Sequence, residues 1–477
     1  MILLALCLLA HYPNQYKKTY TKEYVMNRRQ FLQTTASVAV TAGLSDYTIA
    51  AKSLKQIPEN KSPWAIKPQK WPSLGPQDLH HQLDAGMQWA NKSLIENGTV
   101  EPPNGGLRGR SMRSACMPAH ACAFYYAMTQ DPTTLEALKA AVRTFRKYRR
   151  IARGQRIHYE DLSDSLIKKY AAMTDEKPTI EYEVIACHVG RNMKGIRAAA
   201  HILKDKKLLD QAAEELNFWI DNPLGFNPDI HFFDARIFLD PDGKTIGSEK
   251  RFTVNMAGSL ASSMWMVGND LGDKRMMRYA EDQILKGIPP LQLPNGYFPY
   301  NIGHKVELKN DIAVNSNYYH SLTLQVLSPL LAYKFWQNQT KFVEMMRRGA
   351  KYVRDKLTDE SGVIQHPAWM DEYRASKGYG KKGPFGITAD SALVHTRLYK
   401  YLGDEEAFEQ AAKNLHWFHH NPPARFPFFS TDSHFAPLKT ISEWGFCHCF
   451  RQVVLTAAEG MHLKQKGEND VEAVFIA

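Results

Sequence analysis

Side chains able to move protons or hold an anion recur at a few points of this chain. They are Arg110 and Arg113; Glu181, Glu183, His188 and Arg191; Arg251 and Asn255; Asn315, Asn317, Tyr318, Tyr319 and His320; Asp390 and His395; and Glu443, Trp444 and His448. Arg and Asn fix acidic groups through directed hydrogen bonds, and a guanidinium offers its donors in a planar fork. Tyr and Trp supply faces on which a sugar ring can stack, while Tyr and His can pass protons. Taken singly, each is also a helix cap or a satisfied interior polar group. A joint role requires elements that carry them to one surface.

Those elements form a repeat. A helix rich in small residues runs into a short polar turn, often holding Asp, and a charged amphipathic helix follows. SMRSACMPAHACAFYYAMTQ leads through DPTT into LEALKAAVRTFRKYRR, and EYEVIACHVGRNMKGIRAAAHILK leads through DKK into LLDQAAEELNFWI. RFTVNMAGSLASSMWMVGND leads through LGDK into RMMRYAEDQIL, and TADSALVHTRLYKYLG leads through DEE into AFEQAAKNLHWFHH. The second helices space apolar residues for one wet face, whereas the first are apolar or small nearly all round. Inner-type helices are predicted to start near Ser111, Glu183, Phe252, Asn315, Thr388 and Ser442, and outer-type helices near Leu79, Thr133, Leu208, Lys274, Lys341 and Glu405. The first outer and last inner helix lack sequence partners and can pair with each other. The simplest closed arrangement is an all-α (α/α)6 toroid of inner and outer helical rings, with an open solenoid as the structural alternative.

The connections are unequal. Turns from inner to outer helices are about three to five residues, but returning loops reach roughly 15–35, a length uncommon unless loops build a site. All the long loops would gather where the inner helices present their N-terminal N–H groups, a positive end suited to carboxylate or sulfate. The candidate residues above lie there.

Composition sets the class. Hydrophobic residues make up 44% and charged residues 23%, as in an ordinary globular protein. Net charge is +11; residues 1–52 hold six basic and two acidic side chains (6 − 2 = +4), so the remainder keeps 11 − 4 = +7. A basic body suits an anionic partner, whether nucleic acid, acidic glycan or membrane surface. Met26 opens MNRRQFLQTTASVAVTAGLS, which resembles a twin-arginine export signal, so residues 1–52 read as an address and the mature protein as exported, periplasmic or extracellular. MILLALCLLA is too short to span a bilayer, which needs about 20 residues, and no membrane insertion is expected after processing. Residues 53–78 read as a linker or wrapping arm, 79–465 as the toroid and 466–477 as a tail. No Cys pair forms CxxC, Cys447-His448-Cys449 is too tight for one tetrahedral metal, and no metal or cofactor is expected.

The segment PNGYFP, followed after a polar interval by YYHSLTLQVLSPLLAY, resembles the alginate-lyase type of α/α-toroid polysaccharide lyase over residues 250–335. That family combines a DG-x-LP turn, an Arg and a Tyr-His opening YHxxALxxL, with an Asn-Asn-His motif on the preceding inner helix. Tyr319-His320 falls on its Tyr-His and Asn255 on its second Asn. Met256 stands at the family's His, Val254 at its first Asn and His304 at its Arg. The resemblance implies β-elimination on a uronate-containing polysaccharide by a monomer or simple dimer, with no nucleic-acid partner. A base removes the C5 proton once donors neutralise the carboxylate, and the bond to O4 breaks. On this reading Tyr319 is acid and base in turn, Asn255, His304 and His188 assist, and Arg251, Arg113, Arg191, Asn315, His320, Trp444 and Glu443 bind substrate. Tyr318, about 100° from Tyr319 on the helix, is assigned to packing. The alternatives are a toroid hydrolase, with paired carboxyls among Glu181, Glu183, Asp234, Asp311, Asp390 and Glu443, and a non-catalytic glycan-binding toroid.

Overall fold

A computed structural model describes residues 76–100, 112–162, 180–303, 305–314, 317–359, 362–364, 385–420 and 446–460, all within the unit Ile57–Ala477. The export signal expected over 1–52, most of the arm over 53–78 and the tail over 466–477 lie outside the described residues.

Two kinds of helix alternate, as the repeat requires. The outer ones are α1 (Pro76–Asn97), α3 (Pro132–Lys147), α5 (Lys206–Asp221), α7 (Lys274–Asp282), α9 (Thr340–Leu357) and α11 (Glu405–His420). The inner ones are α2 (Arg113–Thr129), α4 (Ala186–Leu203), α6 (Val254–Leu271), α8 (Asn317–Leu327), α10 (Phe385–Leu402) and α12 (Arg451–Gly460), the last entered through a π-helical turn at Phe446–Phe450. Each inner helix packs on the next, and α12 packs back on α2, so the inner ring closes. α1 lies against α12, the pairing left over by the sequence repeat. The fold is an (α/α)6 toroid.

Small residues in the inner helices let their backbones approach. A Cβ on Gly190 of α4 would collide with the α6 backbone at Ser259, and one on Gly195 with the Cys116 carbonyl of α2. Ser263 Oγ donates to the Gly190 carbonyl across the first of these contacts. Residues 114–125 of α2 are buried on every face, as expected of a helix packed from both sides.

The short turns share a punctuation. Inner helices end on a left-handed residue, Gln130, Lys204, Gly272 or Gly403, each followed by an Asp. That Asp caps the outer helix: Asp131 accepts from Thr133 N and Thr134 N, Asp205 from Leu208 N, Asp273 from Met276 N and Asp404 from Ala407 N. The αL residue turns the chain, and the carboxylate satisfies amides that the helix start leaves bare.

One inner helix departs from expectation. The segment expected to open a helix at Glu183 is instead β2 (Tyr182–Ile185), and α4 starts at Ala186. β2 joins β1 (Glu160–Asp161), β3 (Arg236–Leu239) and β4 (Thr245–Ser248) in an antiparallel sheet ordered β1-β2-β3-β4. Glu183 pairs with Phe238 and Val184 with Ile237. Tyr182, Val184 and Ile185 favour an extended, pleated backbone, and a partner strand some fifty residues away satisfies its N–H and C=O groups. Leu162, Ile180 and Phe238 form a small core under this sheet.

Candidate active site

The sheet meets the inner helices at their N-terminal end. His188, in the first turn of α4, places Nδ1 2.7 Å from Glu160 Oε1 on β1. Burial pushes its imidazole down to about 4; Glu160 opposes the shift, and Arg113 and Arg191 add to it. The ring is therefore neutral at neutral pH. Nδ1–H donating to the carboxylate is the tautomer this contact favours, which leaves the Nε2 lone pair to act as a base.

Beside this dyad runs a chain of alternating charge. Arg236 Nη1 donates to Glu183 Oε2 at 2.7 Å, and Arg236 Nε lies 3.2 Å from Glu249. Glu249 in turn lies 3.6 Å from Arg251. Burial pushes Glu183 up to about 7, with Arg236 opposing, so it carries a proton for part of the time near neutrality. Arg251 donates through Nε to Asn301 and lies 5.2 Å over the Tyr300 ring. Tyr300 stacks on Tyr319 at 3.9 Å between centroids. Burial, reinforced by Tyr319, holds the Tyr300 hydroxyl well above its usual value, so it remains a proton donor.

Further buried polar groups lie in the first two turns of α6, α10 and α12. Among the described residues, Asn255 Oδ1 of α6 has no hydrogen-bond partner. Asp390 of α10 receives Gln452 Nε2 at 3.0 Å on Oδ1, while its Oδ2, Gln452 Oε1 and Arg451 Nε have no partner among the described residues. Burial pushes Asp390 up to about 7 against the Gln452 hydrogen bond and the charges of Arg191 and Arg451. Buried polar atoms from α6, α10 and α12 are thus left able to bond something more, which is unusual in a folded interior.

The structure brings together many of the residues expected from sequence. His188, Arg113 and Arg191 form one electrostatic group; Arg251 and Tyr319 form another through Tyr300. Asn255 is buried in the first turn of α6. His320 requires a correction. Its Nδ1 accepts from Phe298 N at 3.0 Å and its Nε2 contacts the Gly349 carbonyl at 3.0 Å, so both nitrogens hold the hairpin together and none is left for substrate. His320 and Leu324 thereby face α9. Tyr318 lies about 160° around the helix from His320, away from the face that packs on α9. It is buried and packs edge-on against Tyr319, in keeping with a packing role. His304, Asn315, Glu443 and Trp444 lie outside the described residues.

Glu160, Tyr300, Arg451 and Gln452 join the residues expected from sequence. Glu160 reaches His188 from 28 residues upstream through strand pairing, which no local pattern signals. Tyr300 directly follows PNGYFP and is legible in the sequence. Among the described residues no group of three or more His, Cys, Asp or Glu could hold a metal ion, and no helix is long and apolar enough to cross a membrane.

No protein-family model and no curated protein matches the chain. Solved structures do. A cellobiose 2-epimerase from Bacillus thermoamylovorans aligns with a TM-score of 0.54 at 10% identity, over 80% of this chain and 100% of that one. A GH76 α-mannanase from Bacteroides thetaiotaomicron gives 0.54 at 11%, over 82% and 100%. An unsaturated glucuronyl hydrolase from Bacillus sp. GL1, responsible for degradation of glycosaminoglycan, gives 0.52 at 12%, over 81% and 97%. The chain shares the toroid of these sugar-processing enzymes.

Proposed function

We propose that the protein acts on an acidic glycan by taking a proton from carbon, as a lyase that cleaves a uronate-containing polysaccharide by β-elimination. The observation that carries this reading is His188: a neutral imidazole, oriented by Glu160 and flanked by Arg113 and Arg191 at the mouth of the toroid. The C5 proton of a uronate becomes removable when cations and hydrogen-bond donors spread the carboxylate charge. Arg113 and Arg191 supply that charge, and the Asn255 amide is the added hydrogen-bond donor in this reading. His188 Nε2 takes the C5 proton; the C5–H electron pair forms the C4–C5 double bond as the C4–O4 bond breaks. Tyr319, beside the protonated Tyr300, gives the departing O4 its proton. An anionic substrate near His188 raises the basicity that burial lowered, so binding prepares the base.

The similar structures named above are epimerases and hydrolases, so the choice of β-elimination rests on the chemistry of these side chains. One observation favours hydrolysis instead: Glu183, pushed up to about 7, could serve as a proton-bearing acid. A single assay separates the two. Incubation with alginate, glucuronan, pectate and chondroitin should generate the ultraviolet absorbance of an unsaturated uronate. New reducing ends without that absorbance would replace the lyase reading with hydrolysis, and binding without cleavage would replace both.

A further inference from the structure

The segment that brings Glu160 to His188 is tied down by a buried charge cluster that the chemistry above does not use. Between α3 and β1 the chain forms a two-stranded hairpin, Arg150–Ala152 against Gln155–Ile157. Arg149 enters the hairpin, His158 leaves it, and Glu215 of α5 holds both. Arg149 Nε donates to Glu215 Oε1 at 3.0 Å. The backbone N–H of His158 donates to Glu215 Oε2 at 2.9 Å, and its Nδ1 lies 2.8 Å from Oε1. His158 Nε2 lies 2.8 Å from the Phe145 carbonyl in α3. Arg149 also donates to Glu214 Oε2 at 2.6 Å and to the Arg156 carbonyl inside the hairpin. Arg149, His158 and Glu215 are all buried. Burial pushes the Glu215 acid up, but His158 and Arg149 outweigh it and hold the group below its usual value, as a carboxylate.

This clasp lies close to the base along the chain. Glu160 is two residues beyond His158, and its carboxylate meets His188 Nδ1 at 2.7 Å. β1 is two residues long and pairs with β2 as Glu160 with Glu183 and Asp161 with Tyr182. So short a ladder sets register but holds weakly by itself. Two extended residues span at most about 7 Å, so a displacement at His158 passes to Glu160 with little slack. Arg150, inside the hairpin, also reaches Asp161 of β1 at 3.3 Å. The clasp thereby ties Glu160 to the outer helices α3 and α5, while His188 stands on the inner helix α4.

We propose that Arg149, His158 and Glu215 are positioning residues for the base, holding Glu160 where it accepts the His188 Nδ1–H. They act through Glu160, and the assignment rests on the reading of His188 as the base. Which imidazole nitrogen carries the proton is set by the hydrogen bond the other makes. A loosened Glu160 lets the ring pass to the Nε2–H tautomer, which puts a proton where the lone pair is needed.

The test reads the His188 tautomer in the full chain at pH 7 by nitrogen-15 NMR of histidine-labelled protein. The His188 signals are assigned by their loss in His188→Asn. The wild type should show Nδ1 protonated and Nε2 bare, and Glu160→Ala should move the ring toward Nε2–H. His158→Phe keeps an aromatic ring against Phe145 but removes both ring hydrogen bonds, and should move His188 the same way. Added to Glu160→Ala, it should change the tautomer no further. A merely structural role would lower stability and leave the tautomer as in the wild type. That result in folded His158→Phe overturns the assignment, as does a further shift in the double variant. Arg149→Lys keeps a cation on Glu215 without the guanidinium fork. If His158→Phe fails to fold, Arg149→Lys decides, and an unchanged tautomer again overturns the assignment. On a polyuronate that is turned over, His158→Phe should cost roughly 10–10²-fold in kcat with KM little changed. If no polyuronate is turned over, the lyase reading falls, and the tautomer still decides whether the clasp positions Glu160.

Discussion

His188 illustrates how two residues far apart in sequence make one base. The Glu160 carboxylate orients the ring and raises its basicity, while burial and two arginines lower it. Removing the base should matter most: His188→Asn should cost roughly 10²–10⁴-fold in kcat on any polyuronate that is turned over, with the fold unchanged by circular dichroism. Glu160→Gln should act through position and field. It removes the charge that pulls the His188 pKa upward, so the acid limb of the pH–rate profile, expected near 4 in the wild type, should move lower still. A limb that moves upward would refute the pairing. Asp390 gives a stability prediction of opposite sign. Its folded pKa of about 7 lies above the ordinary carboxylate value. Its contribution is therefore full at low pH and lost as pH rises through 7, where the fold must bury a charge. Asp390→Asn removes that loss, so urea midpoints should show the variant gaining on the wild type between pH 5 and pH 8.

At the scale of elements, the hairpins are written plainly in the sequence because each boundary has a local cause. The pairs Gln130-Asp131, Lys204-Asp205, Gly272-Asp273 and Gly403-Asp404 are a left-handed stop followed by an N-cap. Asp205→Ala should destabilise the protein by about 0.5–2 kcal/mol in chemical unfolding. Lys204→Gly should stabilise it by up to about 1 kcal/mol, since glycine holds positive φ without strain. What the sequence did not disclose has a non-local cause. Glu183 lies in a strand because Arg236–Leu239 pairs with it, and a helix pattern read locally cannot see that partner. From sequence His320 reads as a site residue because it stands in the first turn of α8, yet its ring faces α9. Position along a helix was legible; direction around it was not, because direction is fixed by the neighbours.

A closed ring differs from an open row of hairpins in one respect: the last inner helix must meet the first, and every inner helix then has two inner neighbours. The closure here is partly polar. Arg397 of α10 holds Glu459 of α12 through several hydrogen bonds and reaches Ser328, just beyond α8, through Nη1 at 2.8 Å. Both charged partners are fully buried. Around this clamp α12 packs on α2, and Gly86 of α1 admits the Phe450 ring where a Cβ would collide with it. A buried pair costs much in desolvation, so its worth lies in matching rather than in net attraction. Glu459→Gln leaves the Arg397 charge without its carboxylate and should cost about 3–5 kcal/mol. Replacing both residues by methionine removes the charge and its partner together, so most of that stability should return in the Arg397→Met/Glu459→Met double variant. Chemical unfolding of the single and double variants measures the difference. A double variant as unstable as Glu459→Gln would mean that the clamp closes the ring by attraction of its own, and that no apolar contact between α10 and α12 can take its place.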